Sequence, residues 1–181
     1  MNNQLNFPVG ISDFKKIREN DYYYIDKSGL IKELLKRESA EVTLIIRPRR
    51  FGKTMGMSML PHFFDIRSDN RRLFDGLEII YDEALCSAWM NQYPVVFLTL
   101  KDIDGLTFED AYERLAVQIS NLYKEHTYLL ESERMDSDDR TLFKELKSGS
   151  AGKIQIGQSL HTMSTALKDN TTLRFAVITG C

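Results

Sequence analysis

Apolar residues recur at two spacings along this chain, and the alternation between them predicts the elements. Leu30, Ile31, Leu34 and Leu35 stand at helical spacing with Lys and Glu between them, and Ser28 is available as the cap. Residues 42–46 form an apolar, β-branched run that predicts a strand. Met55, Met59 and Phe63 follow as a helical stripe, with Pro61 predicting a kink or an early end. Residues 22–25 (Tyr-Tyr-Tyr-Ile) predict a short aromatic strand, and Phe14 and Ile17 are packing residues in the segment before it. Residues 65–72 predict a charged loop and residues 73–77 a turn with buried apolar groups.

The second half alternates in the same way. Residues 95–100 are nearly continuously apolar, as expected of a strand buried on both faces of a parallel sheet. Thr107 with Asp110 predicts a capping box, and Phe108, Ala111, Leu115, Ile119 and Leu122 line one helix face. A shorter helix carries Leu142, Phe143 and Leu146, and another carries Ile156, Leu160, Met163 and Leu167. Residues 175–179 close the chain as a strand. Strands alternating with helices predict an α/β fold: a P-loop NTPase-like parallel sheet with flanking helices, in one domain spanning residues 1–181. Residues 1–40 lead into its core.

The chemistry concentrates between the strand at 42–46 and the Met55 helix. Arg47-Pro48-Arg49-Arg50-Phe51-Gly52-Lys53-Thr54 reads there as a phosphate-binding loop, which requires a strand, a tight turn and a helix N-terminus facing the phosphates. Gly52 lets backbone approach the nucleotide, Lys53 reaches the β- and γ-phosphates, and Thr54 offers its hydroxyl to Mg²⁺. The expected binding residues are Arg49, Arg50, Phe51, Gly52, Lys53, Thr54 and Met55, with Thr54 the metal ligand and ATP and Mg²⁺ the cofactors. The general motif begins with Gly where this chain has Arg47. A second Gly-Lys, at Gly152-Lys153, is followed by Ile154 and lacks the hydroxyl.

Composition narrows the partners. The net charge of −2 gives no global attraction to nucleic acid or an anionic membrane. No apolar run is long enough to span a bilayer, and no basic–apolar–small leader opens the chain, which predicts a cytoplasmic protein. Cys86 and Cys181 match no metal spacing. His62, His126 and His161 stand apart from one another and from the cysteines. Arg49, Arg50, Arg67, Arg71 and Arg72 could make a basic patch, but few aromatics accompany them, so nucleic acid is not the expected partner. Self-association stays open.

Several segments together carry a resemblance: Gly10-Ile11-Ser12-Asp13-Phe14, Tyr24-Ile25-Asp26-Lys27, the loop from Arg47 to Thr54, Phe63-Phe64-Asp65, Leu73-Phe74-Asp75-Gly76-Leu77, Tyr93-Pro94-Val95-Val96 and Phe175-Ala176-Val177-Ile178-Thr179-Gly180. In this order they resemble the N-terminal part of the AAA-ATPase-like domain proteins, prokaryotic P-loop ATPases often fused to a PD-(D/E)XK nuclease-like domain. In that family Arg at the first loop position is usual. The resemblance implies ATP hydrolysis, but it also exposes a gap. The family's Walker B strand, with its Asp-Glu pair, belongs between the helix at 156–162 and the final strand, and this chain lacks a few dozen residues there.

No catalytic residue is therefore assigned, and the sheet is expected to be incomplete. Residues 79–83 (Ile-Ile-Tyr-Asp-Glu) imitate Walker B out of order and read as a surface turn. Asp102 and Asp104 follow the Val95 run at a position where α/β sheets place ligand residues. The expected function is an ATP-binding domain with impaired hydrolysis. The alternatives are a non-catalytic module that binds protein or nucleic acid, and an inactive gene fragment.

Overall fold

The computed structural model describes residues 6–36, 42–46, 51–101, 103–133, 135–167 and 176–179. The backbone divides into two compact units, residues 1–95 with 175–181, and residues 96–174.

The first unit is built around aromatic packing. Helix α1 (Phe14–Glu19) starts where the Asp13 carboxylate accepts the Lys16 N–H at 2.8 Å. Helix α2 (Gly29–Leu35), strand β1 (Val42–Ile45) and helix α3 (Lys53–Phe64) follow. Two short 3-10 turns (Arg71–Phe74 and Glu78–Tyr81) lead to helix α4 (Glu83–Trp89). Phe14, Ile31, Met59, Phe63, Phe74 and Ile79 are wholly buried. The Phe14 and Phe63 rings lie 5.0 Å and 5.4 Å from that of Phe74, within the range of favourable aromatic pairs.

Polar bonds fix the helices against one another. Ser58 of α3 accepts the Phe14 N–H at 3.0 Å and donates to the Ser12 carbonyl, tying α3 to the start of α1. Arg18 donates to the carbonyls of Leu73 and Asp75, so the turn at 73–77 is clamped from α1. Strand β2 (Ala176–Thr179) runs parallel to β1, pairing Val42 with Ala176 and Ile45 with Thr179.

In the second unit, helix α5 (Phe108–Glu125) opens with the expected capping box, Thr107 and Asp110 bonding reciprocally. Helices α6 (Ser137–Ser148) and α7 (Lys153–Leu167) pack with it around Ile119, Leu122, Tyr123, Phe143, Leu146 and Met163. The Tyr123 hydroxyl donates to the Ser159 carbonyl at 2.5 Å, and burial pushes its pKa up. Gly149 ends α6 in the left-handed conformation (φ 79°).

The expected parallel-sheet α/β architecture is not what the chain adopts. The described residues are mostly helical, and their strands are the single four-residue pair β1–β2. Residues 95–100 form no strand: Phe97 is 41% and Leu100 64% exposed. A strand buried on both faces needs ladder partners and covering helices; here the pairing stops at a lone bridge between Asp65 and Tyr93, just before Pro94, which has no N–H to donate. Residues 22–25 are likewise not a strand. Tyr24 packs edge-on to Phe14 at 5.5 Å, while Tyr23 lies on Phe7. Pro61 does not end α3, which runs on to Phe64.

The helix expected at 156–162 is α7, continuous from Lys153 to Leu167. Residues 168–175 lie outside the described residues. No helix among the described residues is long and apolar enough to cross a membrane.

Removal of the Phe14 ring empties the centre of the first unit. Phe14→Ala is expected to lower stability by about 3–5 kcal/mol, measured as a shift of the urea midpoint at unchanged slope.

Candidate functional site

Strand β1 ends at Ile45, and helix α3 begins at Lys53. Gly52 caps α3 in the left-handed conformation (φ 75°, ψ 23°), a region that costs residues with a Cβ about 1–2 kcal/mol. The turn therefore has a reason to keep glycine. It places Lys53 and Thr54 as the first two helical residues, where backbone N–H groups have no carbonyl one turn earlier and point out of the helix end. Thr54 is exposed, and Phe51 is 63% exposed. Met55 is half-buried against the aromatic core. Arg49 and Arg50 lie outside the described residues.

The start of α3 is held close to α2. A Cβ on Gly56 would meet Leu30 Cδ2 at 3.3 Å, so a small residue there allows the approach. The segment just before α2 then reaches the same turn. Lys27 Nζ donates to the Phe51 carbonyl at 3.1 Å and occupies space 2.5 Å from where a Gly52 Cβ would sit. Nothing in the spacing of the sequence links residue 27 to residue 52. Its one signal was its membership of the Tyr24-Ile25-Asp26-Lys27 segment.

Lys27 is positioned by its neighbours. Asp26 accepts the Ser28 N–H at 2.8 Å and the Glu78 N–H at 2.7 Å. Ser28 was expected to cap α2; instead its wholly buried hydroxyl accepts the Ile79 N–H at 3.1 Å. Partial burial pushes the Asp26 carboxyl up, but the bonds from Glu78 and Ser28 outweigh it and hold its pKa below the usual Asp value.

The other sequence candidates have structural roles. Asp82 of the Walker B-like run caps α4 through the Leu85 N–H and lies 3.6 Å from Lys32 Nζ. Residues 79–83 were expected to be a surface turn; they run from the second 3-10 turn into α4, but Ile79 is wholly buried in the core. Asp104 is paired with Arg114 at 2.6 Å, and Asp102 lies outside the described residues. Arg67 is bound to Asp65, which it meets through both Nε and Nη2. Lys153 of the second Gly-Lys lies over the rings of Phe108 and Tyr112, at 5.6 and 5.3 Å. His62 packs beside Phe14, and burial lowers its pKa. Cys86 is buried and donates its thiol to the Ile79 carbonyl, with its pKa raised by burial. Among the described residues, no three His, Cys, Asp or Glu side chains gather as a metal site.

Two measurements test this geometry. Gly52→Ala is expected to cost about 1–2 kcal/mol from the backbone conformation, read from urea unfolding; the Lys27 ammonium can swing aside, so sterics add little. Asp26 contributes stability because its folded-state pKa lies below the unfolded one. That contribution is fully present above the ordinary Asp value and lost as pH falls through the depressed one. The stability gap between wild type and Asp26→Asn should therefore shrink as pH falls below 4 in acid titrations of the urea midpoint, about where carboxylates ordinarily protonate.

Comparison with known proteins agrees with the order of motifs. A protein of Azotobacter chroococcum mcd 1, described as an uncharacterized protein in the vnfD 5' region, is 39% identical over 90 residues. That match covers 49% of this chain, which spans only 16% of the relative's length. No solved structure matches. The profile described as Predicted AAA-ATPase, of the AAA-ATPase-like family, matches residues 8–179. With nearly its whole length matched, the chain belongs to the AAA-ATPase-like family.

Proposed function

We propose that this chain binds ATP through the turn at the start of α3 and hydrolyses it poorly or not at all. The observation that carries the reading is the left-handed Gly52 capping a twelve-residue helix whose first two residues are Lys53 and Thr54. Backbone N–H groups at such a turn, together with the helix dipole, favour a phosphate. In this reading Phe51, Gly52, Lys53, Thr54 and Met55 cradle the triphosphate, and Arg49 and Arg50 add charge to the same loop.

Mg²⁺ fits this site in part. A nucleotide-bound Mg²⁺ takes few protein ligands, the rest being phosphate oxygens and water. The exposed Thr54 hydroxyl, next to Lys53, is the ligand this chain would supply. Bound there, the ion would neutralise charge on the phosphates. Phosphoryl transfer depends on positioning and charge stabilisation, so a missing metal-holding carboxylate and water-orienting acid depress turnover more than binding. The commitment of Asp82 to a helix cap supports that half of the proposal.

Equilibrium titration with a fluorescent ATP analogue, with and without Mg²⁺, tests the reading. Wild type should bind saturably, and Lys53→Ala should weaken binding at least tenfold, as expected for loss of a charge-assisted contact to phosphate. Binding unaffected by Lys53→Ala would refute the site. Magnesium-dependent hydrolysis at the roughly 1 s⁻¹ or faster of ordinary enzymes would refute the impaired-turnover half. A folded wild type that does not bind would favour the interaction-module reading instead.

A further inference from the structure

We infer that Lys27, from a segment 25 residues before Gly52 in the chain, is a second lysine of the phosphate site and contacts the terminal phosphates of the nucleotide. The inference rests on the proposed ATP site but adds a residue from outside its loop. Three observations lead to it. The Lys27 ammonium lies on the Gly52 turn, 3.1 Å from the Phe51 carbonyl and in the space a Gly52 side chain would fill. Its side chain is exposed, so the ammonium can reach a ligand without leaving a buried niche. Its backbone is held on both sides, by the two bonds of Asp26 and by the buried Ser28 hydroxyl on Ile79 N–H.

The Phe51 carbonyl carries no net charge, whereas a phosphate oxygen is itself ionised and makes a shorter, stronger bond to the ammonium. On ligand arrival, Lys27 would exchange the Phe51 carbonyl for a phosphate oxygen, moving only its flexible four-carbon stem. Lys53 is carried by α3 and Lys27 by the entrance to α2, so the two ammoniums come from separately anchored elements. This arrangement selects for charge on the ligand. AMP, with its single α-phosphate, cannot engage two lysines that reach the outer phosphates, while ATP can.

A structural alternative exists for the same contact: Lys27 could serve only as a strut behind the turn. Nucleotide selectivity separates the two roles, because a strut affects all nucleotides alike. The experiment is a set of titrations of full-length Lys27→Gln and Lys27→Arg with fluorescent ATP, ADP and AMP analogues, beside wild type and Lys53→Ala. Urea unfolding of each variant serves as the fold control. Direct contact predicts that Lys27→Gln weakens ATP binding about tenfold or more. AMP binding should change less than about twofold, and Lys27→Arg should restore most of the ATP affinity, since it keeps the charge. Equal losses for all three nucleotides, or a fall in stability with unchanged nucleotide affinity, would overturn the inference and leave the strut. If Lys53→Ala abolishes ATP binding while Lys27→Gln does not alter it, Lys27 alone is excluded and the ATP site stands. If wild type binds none of the three, both readings fall.

Discussion

The first unit depends on how two side chains flanking Lys27, Asp26 and Ser28, take up the backbone N–H groups at the start of the second 3-10 turn. Glu78 N–H bonds to Asp26 and Ile79 N–H to Ser28, across more than fifty residues of chain. Buried donors without partners are costly, and Ile79 is wholly buried, so the Ser28 acceptor is a condition for packing the turn against α2, with the exposed Asp26 bond beside it. The same clip settles where Lys27 stands, because the lysine lies between the two acceptors. The position of a functional candidate is thus a by-product of satisfying the core.

The segments that carry the family resemblance divide by this criterion. Tyr24 contributes a ring to Phe14, Asp26 an acceptor to Glu78, and Leu73 and Asp75 give their carbonyls to Arg18. Phe63, Phe64 and Asp65 meet residues 91–93, where Asn91 N–H bonds to Phe63 and Tyr93 N–H to Phe64. These contacts are architecture. The turn at Gly52 differs: Phe51 and Thr54 are exposed and the Gly52 conformation is the one that calls for glycine, while the nearby Lys27 cation comes from elsewhere in the chain.

Local signals were legible in the sequence, and non-local ones were not. The capping box at Thr107 and Asp110 and the stripe of α5 are set by residues three or four apart, and they appear where the pattern placed them. The two short strands at 42–45 and 176–179 were also readable from their β-branched runs. The run at 95–100 has the same composition but forms no ladder, because a strand exists only if another backbone lies beside it. Ser28 had the right position for a helix cap, yet its hydroxyl was drawn to an N–H far along the chain. The candidate loop was visible from Gly52, Lys53 and Thr54. Lys27 was not, since no periodicity connects it to them.

The pairing of β1 with β2 sets an order of events. Ile45 and Ala176 are separated by about 130 residues, and closing so long a loop carries an entropic charge that local helices do not face. The second unit, residues 96–174, lies wholly inside that loop, and its collapse shortens the span that must be closed. During synthesis the helix bearing Lys53 leaves the ribosome well before Ala176 exists. The strand that delivers the chain to Gly52 thus waits, with its ladder partner still unmade, until nearly all of the intervening polypeptide has been translated.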